Sequence, residues 1–192
     1  MDKELFVILN LGGRYRDTIA RRIREFSAYS EVLPVDTPAE KIQKLNPKGI
    51  ILTGHTSLVF DNNGVLPDKN IYSIGIPILA ASGGAFVMAA QLGGIVKSRP
   101  STAAVTTEVT IDPDCPIFAD LEPNQPVYIN PYMRIETLPP DFRRIASAAD
   151  RPNAAIANDE LKLYGTEFIL EADETTAGRR ILERFVFRIC GA

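Results

Sequence analysis

The pattern of apolar and polar residues changes texture about halfway along the chain. Residues 5–11 form an apolar run, the signature of a strand buried on both faces. Gly12 and Gly13 break it. Tyr15, Ile19, Ile23 and Phe26 then recur at helical spacing, with Arg14, Arg16, Arg21, Arg22 and Arg24 on the other faces. A second short strand is expected at 32–35. Thr37-Pro38 reads as an N-cap with proline at the first helical position, opening a helix over 39–45. Residues 49–53 and 77–81 are further buried strands. A short helix is expected at 67–74 and another at 84–92.

Alternating short strands and helices imply crossover units around a parallel sheet. Beyond residue 100 the spacing shifts to strand-like alternation at 102–111, 126–130 and 134–137, with more strands expected at 142–149, 154–158 and 161–170. A last helix over about 176–190 carries Ile181, Leu182, Phe185 and Ile189 as one apolar stripe. No linker, repeat or low-complexity tract divides the chain, so residues 1–192 read as one domain.

Composition narrows the functional classes. The chain has 192 residues, 45% hydrophobic and 23% charged, with net charge -3. That balance is ordinary for a globular protein and argues against nucleic-acid binding. No signal-peptide pattern and no membrane-length apolar run is seen, so a cytoplasmic location is expected. The two cysteines, Cys115 and Cys190, lie far apart in sequence and His55 is the one histidine. A disulfide framework and a zinc site are not expected, and no cofactor is implied. Cys115, in the turn Asp114-Cys115-Pro116, reads as a loop thiol, and Cys190 as a packed one.

Residues 77–85 carry the candidate chemistry: Pro-Ile-Leu-Ala-Ala-Ser82-Gly83-Gly84-Ala85. A strand ends on Ser82, glycines follow, and a helix begins. That is the pattern of a nucleophile elbow, which lifts one side chain towards backbone N–H groups at a helix start. A plain Ser-Gly chain turn would look the same.

Other segments resolve that ambiguity. Gly12-Gly13-Arg14-Tyr15, Arg21-Arg22-Ile23-Arg24-Glu25 and Tyr29-Ser30-Glu31 resemble the start of the glutaminase domain of GMP synthetase, a class I glutamine amidotransferase. The run from Asn46 to Gly54 resembles that family's third strand and oxyanion loop, and Gly75-Ile76-Pro77-Ile78-Leu79 the strand before its nucleophile. Pro116-Ile117-Phe118, Ala154-Ala155-Ile156-Ala157-Asn158, Tyr164-Gly165 and Ile189-Cys190-Gly191 fit later landmarks in order. The resemblance spans nearly the whole chain. It implies a three-layer, flavodoxin-like α/β fold: a mostly parallel central sheet, helices on both faces and a small antiparallel region.

The same resemblance exposes what is missing. The family hydrolyses glutamine with a Cys–His–Glu triad. Its nucleophile position here is Ser82. Its closing Phe-His-Pro-Glu motif is Phe168-Ile169-Leu170-Glu171, so Ile169, which accepts no proton, takes the base position, and Glu171 keeps the acid position with no imidazole to orient. Glu171 is then expected to be a solvated or capping carboxylate. Gly83 and Gly84 follow the nucleophile position, but Phe86 stands where the family has glutamine. The oxyanion loop Ser-Gly-Gly-Pro becomes Thr53-Gly54-His55-Thr56, keeping Gly54 only. The family's Ser-His-Gly-Asp loop falls near Asn130-Pro131-Tyr132-Met133 with no match, and Tyr132 and Met133 are read as space-filling.

These joint departures point to natural loss rather than a single engineered Cys→Ser exchange, and triad members act as a unit. The leading expectation is a catalytically inactive amidotransferase-like domain with a structural, regulatory or partner-binding role. Its implied partner is the ATP-pyrophosphatase subunit of GMP synthetase. Two alternatives stay open: a working glutaminase, or a serine hydrolase in which His55 serves Ser82 as base. The first helix's arginines are either a solvated face or a docking surface.

Overall fold

The computed structural model describes residues 4–13, 16–55, 64–98 and 103–192. Arg14, Tyr15, Thr56 and Thr102, which figure in the sequence reading, lie outside them.

The first strand, β1 (Leu5–Asn10), is the middle of the architecture. Phe6, Val7, Ile8 and Leu9 are all fully buried, because its two faces serve two different cores. Phe6 and Ile8 face one core with Ile19 and Ile23, while Val7 and Leu9 face the other with Ile42 and Phe86. The apolar run is therefore a consequence of burial on both sides, as parallel sheets require.

Around β1 the chain winds α1 (Arg16–Glu25), β2 (Tyr29–Pro34), α2 (Ala39–Lys44), β3 (Gly49–Thr53), a 3-10 helix (Lys69–Ser73), β4 (Ile78–Ala81) and α3 (Gly83–Gln91). Then come β5 (Ile95–Ser98), β6 (Val105–Ile111), β7 (Asn124–Ile129), β8 (Met133–Thr137), β9 (Arg143–Ala148), β10 (Arg151–Asn158) and β11 (Leu163–Thr166). The last helix, α4 (Gly178–Arg184), runs into a π-helical turn, Phe185–Ile189. The main sheet has nine strands in the order β2-β1-β3-β4-β11-β10-β9-β6-β7. The pairings of β1, β2, β3, β4 and β11 are parallel, and β10, β9, β6 and β7 extend them antiparallel. β5 and β8 form a separate antiparallel ribbon. This is the three-layer, flavodoxin-like α/β arrangement, but its antiparallel part is four strands of the main sheet plus a ribbon, larger than the small region expected.

Several local expectations are corrected. Thr37 does not cap α2: the N-cap residue is Pro38, and Thr37 Oγ1 donates to Pro34 O instead (2.7 Å). The cap comes from Asp68, whose carboxylate accepts from Ala39 N–H (2.9 Å) and from Asn70 N–H (3.0 Å). Those two amides hold the Asp68 carboxyl below its ordinary value. The 67–74 segment is a 3-10 turn starting at Lys69. The 161–170 strand stops at Thr166, after which Ile169 N–H turns to Tyr128 O (2.8 Å). β5 has no counterpart among the expected strands: its largely exposed residues pair with β8 alone and show no buried pattern. The last helix starts at Gly178, where a Cβ would sit 2.1 Å from Leu170 O. Cys115 is a fully buried thiol, not a loop one, and burial pushes it up to about 11.

Two glycines separate the effects of space and of backbone angle. A Cβ on Gly84 would lie 2.1 Å from Leu52 O, a rigid backbone atom of β3, whereas one on Gly75 would meet nothing within 4 Å although φ is +79°. Gly84→Ala is expected to cost about 3 kcal/mol or more by forcing α3 off the sheet. Gly75→Ala is expected to cost only about 1–2 kcal/mol, from φ alone. Urea-unfolding midpoints of the two variants would check the order; equal costs would contradict it.

Candidate functional site

The site is built where β3 and β4 end and α3 begins. Ser82 N–H donates to Thr166 O (2.8 Å), which ties the end of β4 to the end of β11. The next step of chain has to turn from strand to helix within one residue, and Ser82 does so with φ 51° and ψ -117°. A non-glycine residue at positive φ is strained and needs surroundings that over-determine it. Here the surroundings are backbone. Gly83 N–H donates to Gly54 O (3.0 Å), and a Cβ on Gly83 would lie 2.3 Å from that same oxygen. Gly54, at φ +131°, packs equally tightly: a Cβ there would lie 2.6 Å from Gly12 O. His55 N–H then donates to Gly12 O (2.9 Å). The three glycine-bearing turns after β1, β3 and β4 thus lock together through backbone hydrogen bonds, with Asn10 Oδ1, which accepts from Gly12 N–H (3.1 Å), packed beside Gly54.

The elbow expected at Ser82 is therefore present, partly exposed at the surface. Two backbone amides beside it, those of Gly83 and His55, are engaged by protein carbonyls. An oxyanion hole needs N–H groups free to meet developing negative charge. The N–H of Gly83 is bound to Gly54 O and the N–H of His55 to Gly12 O. His55 is exposed and lies over Gly13, where an added Cβ would be 3.7 Å from the His55 Cβ. Among the described residues, no hydrogen bond joins its side chain to that of Ser82. Phe86 is buried at 1% exposure, in the same core cluster as Met133 and Ile135, with Tyr132 packed against its edge. Met133 is buried in this cluster and Tyr132 is half-buried against it.

Glu171 is not solvated, contrary to expectation. It is 5% exposed, and its Oε1 accepts a hydrogen bond from Thr53 Oγ1 (2.8 Å) at the end of β3. Burial holds its carboxyl above the usual range, while the Thr53 hydroxyl and the Arg22 guanidinium pull it back. Ile169 is partly exposed, two residues before it. Arg22 also departs from the solvated-or-docking reading of the first helix. It is half-buried and donates to Leu170 O (2.7 Å) and Glu171 O (3.2 Å), fixing the turn that carries Glu171. Arg21 and Arg24 remain exposed.

Two further charged residues escaped the sequence reading. Arg151, fully buried, donates to Glu167 Oε2 (2.5 Å) and to Met133 O (2.7 Å), and Glu167 Oε1 accepts from Ile135 N–H (2.7 Å). Burial pushes Glu167 up to about 7, against the pull of the Arg151 charge and the Ile135 amide. The available signal was a charge inside a buried strand pattern, which has to be paired. Away from Ser82, at the start of β11, a groove of about 450 Å³ is lined by Arg143, Lys162 and Tyr164. Arg143 is already neutralised there by Asp112 (2.7 Å) and Asp159 (2.5 Å).

The elbow thus sits on a parallel sheet beside the glycine loop after β3, with the Glu171 carboxyl bonded to Thr53 at the end of that strand. Residues 7–189 match the family model "Glutamine amidotransferase class-I". The chain belongs to the class I glutamine amidotransferase family. Within it, the chain is similar to GMP synthase [glutamine-hydrolyzing] of Caldanaerobacter subterraneus subsp. tengcongensis, at 40% identity over 188 residues and 98% of its own length. GMP synthase of Acetivibrio thermocellus is 37% identical over 191 residues. The chain spans 37% of the length of each of these relatives. Among solved structures, a GMP synthase-type protein from Thermoplasma acidophilum superposes with a TM-score of 0.85 at 23% identity, covering 99% of this chain and 95% of that one. A Thermotoga maritima glutamine amidotransferase superposes at 0.70 and 14% identity, over 98% and 99% of the two chains. At those identities the structural likenesses establish the fold.

The raised carboxyl of Glu171 has a signed consequence. Between the ordinary glutamate value and its raised folded value, the native state keeps a proton that the unfolded chain releases, so stability falls as pH rises through that window. Glu171→Gln removes this share of the slope and still accepts from Thr53. It is expected to cost less than about 1 kcal/mol at pH 5 and to be neutral or stabilising at pH 7.5. Urea titrations at both pH values check it; a variant that loses more stability at pH 7.5 than at pH 5 would show an ionised, anchored Glu171.

Proposed function

We propose that this chain is a single amidotransferase-like domain, residues 1–192, that keeps the architecture of a GMP synthase glutaminase but does not hydrolyse glutamine. The observation that carries the reading is the closed backbone at the elbow: Gly83 N–H on Gly54 O and His55 N–H on Gly12 O. Both of these amides are consumed by protein carbonyls, so neither is free to meet charge developing on a bound amide.

Residue chemistry supports the same reading. Ser82 is a hydroxyl nucleophile at its position, and a hydroxyl needs an adjacent base. Ile169 at the base position accepts no proton. Glu171, at the acid position, is bonded to Thr53 instead of to an imidazole. Phe86 is buried in the core where the resemblance places a substrate-binding glutamine. Gly54, Gly83 and Gly84 then serve close packing rather than an oxyanion.

The relatives it resembles are named as glutamine-hydrolysing GMP synthases, and it spans 37% of their length. The role that remains is association with an ATP-dependent synthetase chain in the cytoplasm, in a structural or regulatory capacity. Among the described residues no helix is long and apolar enough to cross a membrane.

Ammonia release from glutamine, with and without a co-expressed synthetase, tests this. The expected turnover is at least on the order of 10⁶-fold below an intact triad and indistinguishable from a no-enzyme control. Ser82→Cys alone is expected to remain inert because base and oxyanion donors are still missing. Turnover that Ser82→Ala abolishes would overturn the reading. Ester hydrolysis lost in both Ser82→Ala and His55→Ala would instead favour a serine hydrolase with His55 as base.

A further inference from the structure

Residues 130–133 lie where the resemblance places the family's Ser-His-Gly-Asp loop, and the backbone of 130–136 is held by side chains from β10 and from the turn after β11. Arg151, on β10, donates to Met133 O (2.7 Å) and to Asn130 O (3.5 Å). Glu167, just past β11, accepts from Ile135 N–H (2.7 Å). Asn153, two residues along β10 from Arg151, donates to Ile135 O and Glu136 O (both 3.2 Å). The Arg151–Glu167 contact (2.5 Å, both side chains 0% exposed) locks the two holders to each other.

This arrangement is poorly explained as a stability device. A buried ion pair recovers its desolvation cost only when every polar atom is satisfied. Arg151 Nε is buried with no hydrogen-bond partner. An apolar pair of similar volume would serve the core at least as well. What an apolar pair would not do is hold the carbonyls of Asn130 and Met133 and the amide of Ile135 in one geometry. The clamp is also contiguous with the elbow: Glu167 follows Thr166, whose carbonyl takes the Ser82 N–H (2.8 Å). On the other side, Met133 and Ile135 share a core cluster with Phe86 of α3, the helix that begins at the elbow.

We propose that Arg151 and Glu167 are positioning residues that fix the conformation of segment 130–135, and so hold Tyr132 and Met133 as the fixed wall beside Phe86. Residues 133–137 also pair with β5, and Tyr132 N–H donates to Asn130 Oδ1 (3.1 Å); the clamp adds the bonds to the carbonyls of Asn130 and Met133 and to the amide of Ile135.

Amide hydrogen exchange separates this role from a merely structural one, because local opening and global unfolding report different free energies. Arg151→Met alone leaves Glu167 buried without its cation and is expected to fold poorly, so the deciding variant is the double substitution Arg151→Met with Glu167→Leu. It is expected to fold with a somewhat lowered unfolding midpoint, since Ile135 N–H and Met133 O lose their partners, and to accelerate exchange of the Met133 and Ile135 amides at least on the order of tenfold more than that of the β1 and β3 amides. Wild-type protection of those two amides in the double variant would overturn the proposal. So would uniform acceleration across β1, β3 and 130–136, since that marks a loss of stability alone. The chain has no tryptophan, so Tyr132→Trp adds a single reporter in either background. Its emission is expected to shift to the red when the clamp is removed, and an unchanged spectrum would count against the proposal.

Discussion

The approach of the β3 loop to the start of α3 governs the rest of the site. Gly54 O and the Gly83 amide meet at 3.0 Å, and a Cβ on Gly83, Gly84 or Gly54 would fall within 2.6 Å of a backbone oxygen. No side chain fits there, so the backbone of one turn becomes the hydrogen-bonding partner of the next. The strained φ of Ser82 is held by this contact and by the Thr166 carbonyl behind it. The same bond that stabilises the elbow occupies the donor an oxyanion would use. The elbow geometry and the committed donor are two sides of one contact.

A buried carboxyl cannot simply be left unpaired, because its desolvation cost stays. Here Thr53 supplies the hydrogen bond, and burial biases Glu171 towards its neutral form. Arg22 reaches from α1 to the carbonyls of Leu170 and Glu171, so a basic helix that looks like a surface from the sequence is partly an internal brace. The charge of that helix is therefore divided: Arg22 works inward, and Arg21 and Arg24 face solvent.

Much of the fold was legible in the chain because burial writes itself into pattern. The unbroken apolar stretch of β1 and the Gly-bounded strands β3 and β4 follow from packing on both faces, and the elbow followed from Ser82-Gly83-Gly84 after such a strand. What could not be read depends on partners distant in sequence. Thr37 looked like a cap because local spacing favours it, yet Asp68 reaches α2 from another loop and wins. β5 has no buried face, so no pattern announced it. The sequence around Glu171 gives no sign of Thr53, its hydrogen-bond partner, which lies 118 positions away. Arg151 and Glu167 each stand as a charge in a buried strand pattern, which says that a partner is needed but not which one until the strands bring the two together.

The clamp and the closed elbow bear on one another. A catalytic site must leave donors and a general base uncommitted, and that unmet bonding is a standing cost to stability. Around Ser82 such groups are taken up: Gly83 by Gly54, His55 by Gly12, Glu171 by Thr53, and the 130–136 backbone by Arg151, Glu167 and Asn153. Restoring one residue of the triad would leave every one of these bonds in place. On the proposed reading, the barrier to chemistry therefore lies in the hydrogen-bonding state of the whole pocket wall, and only secondarily in the identity of residue 82.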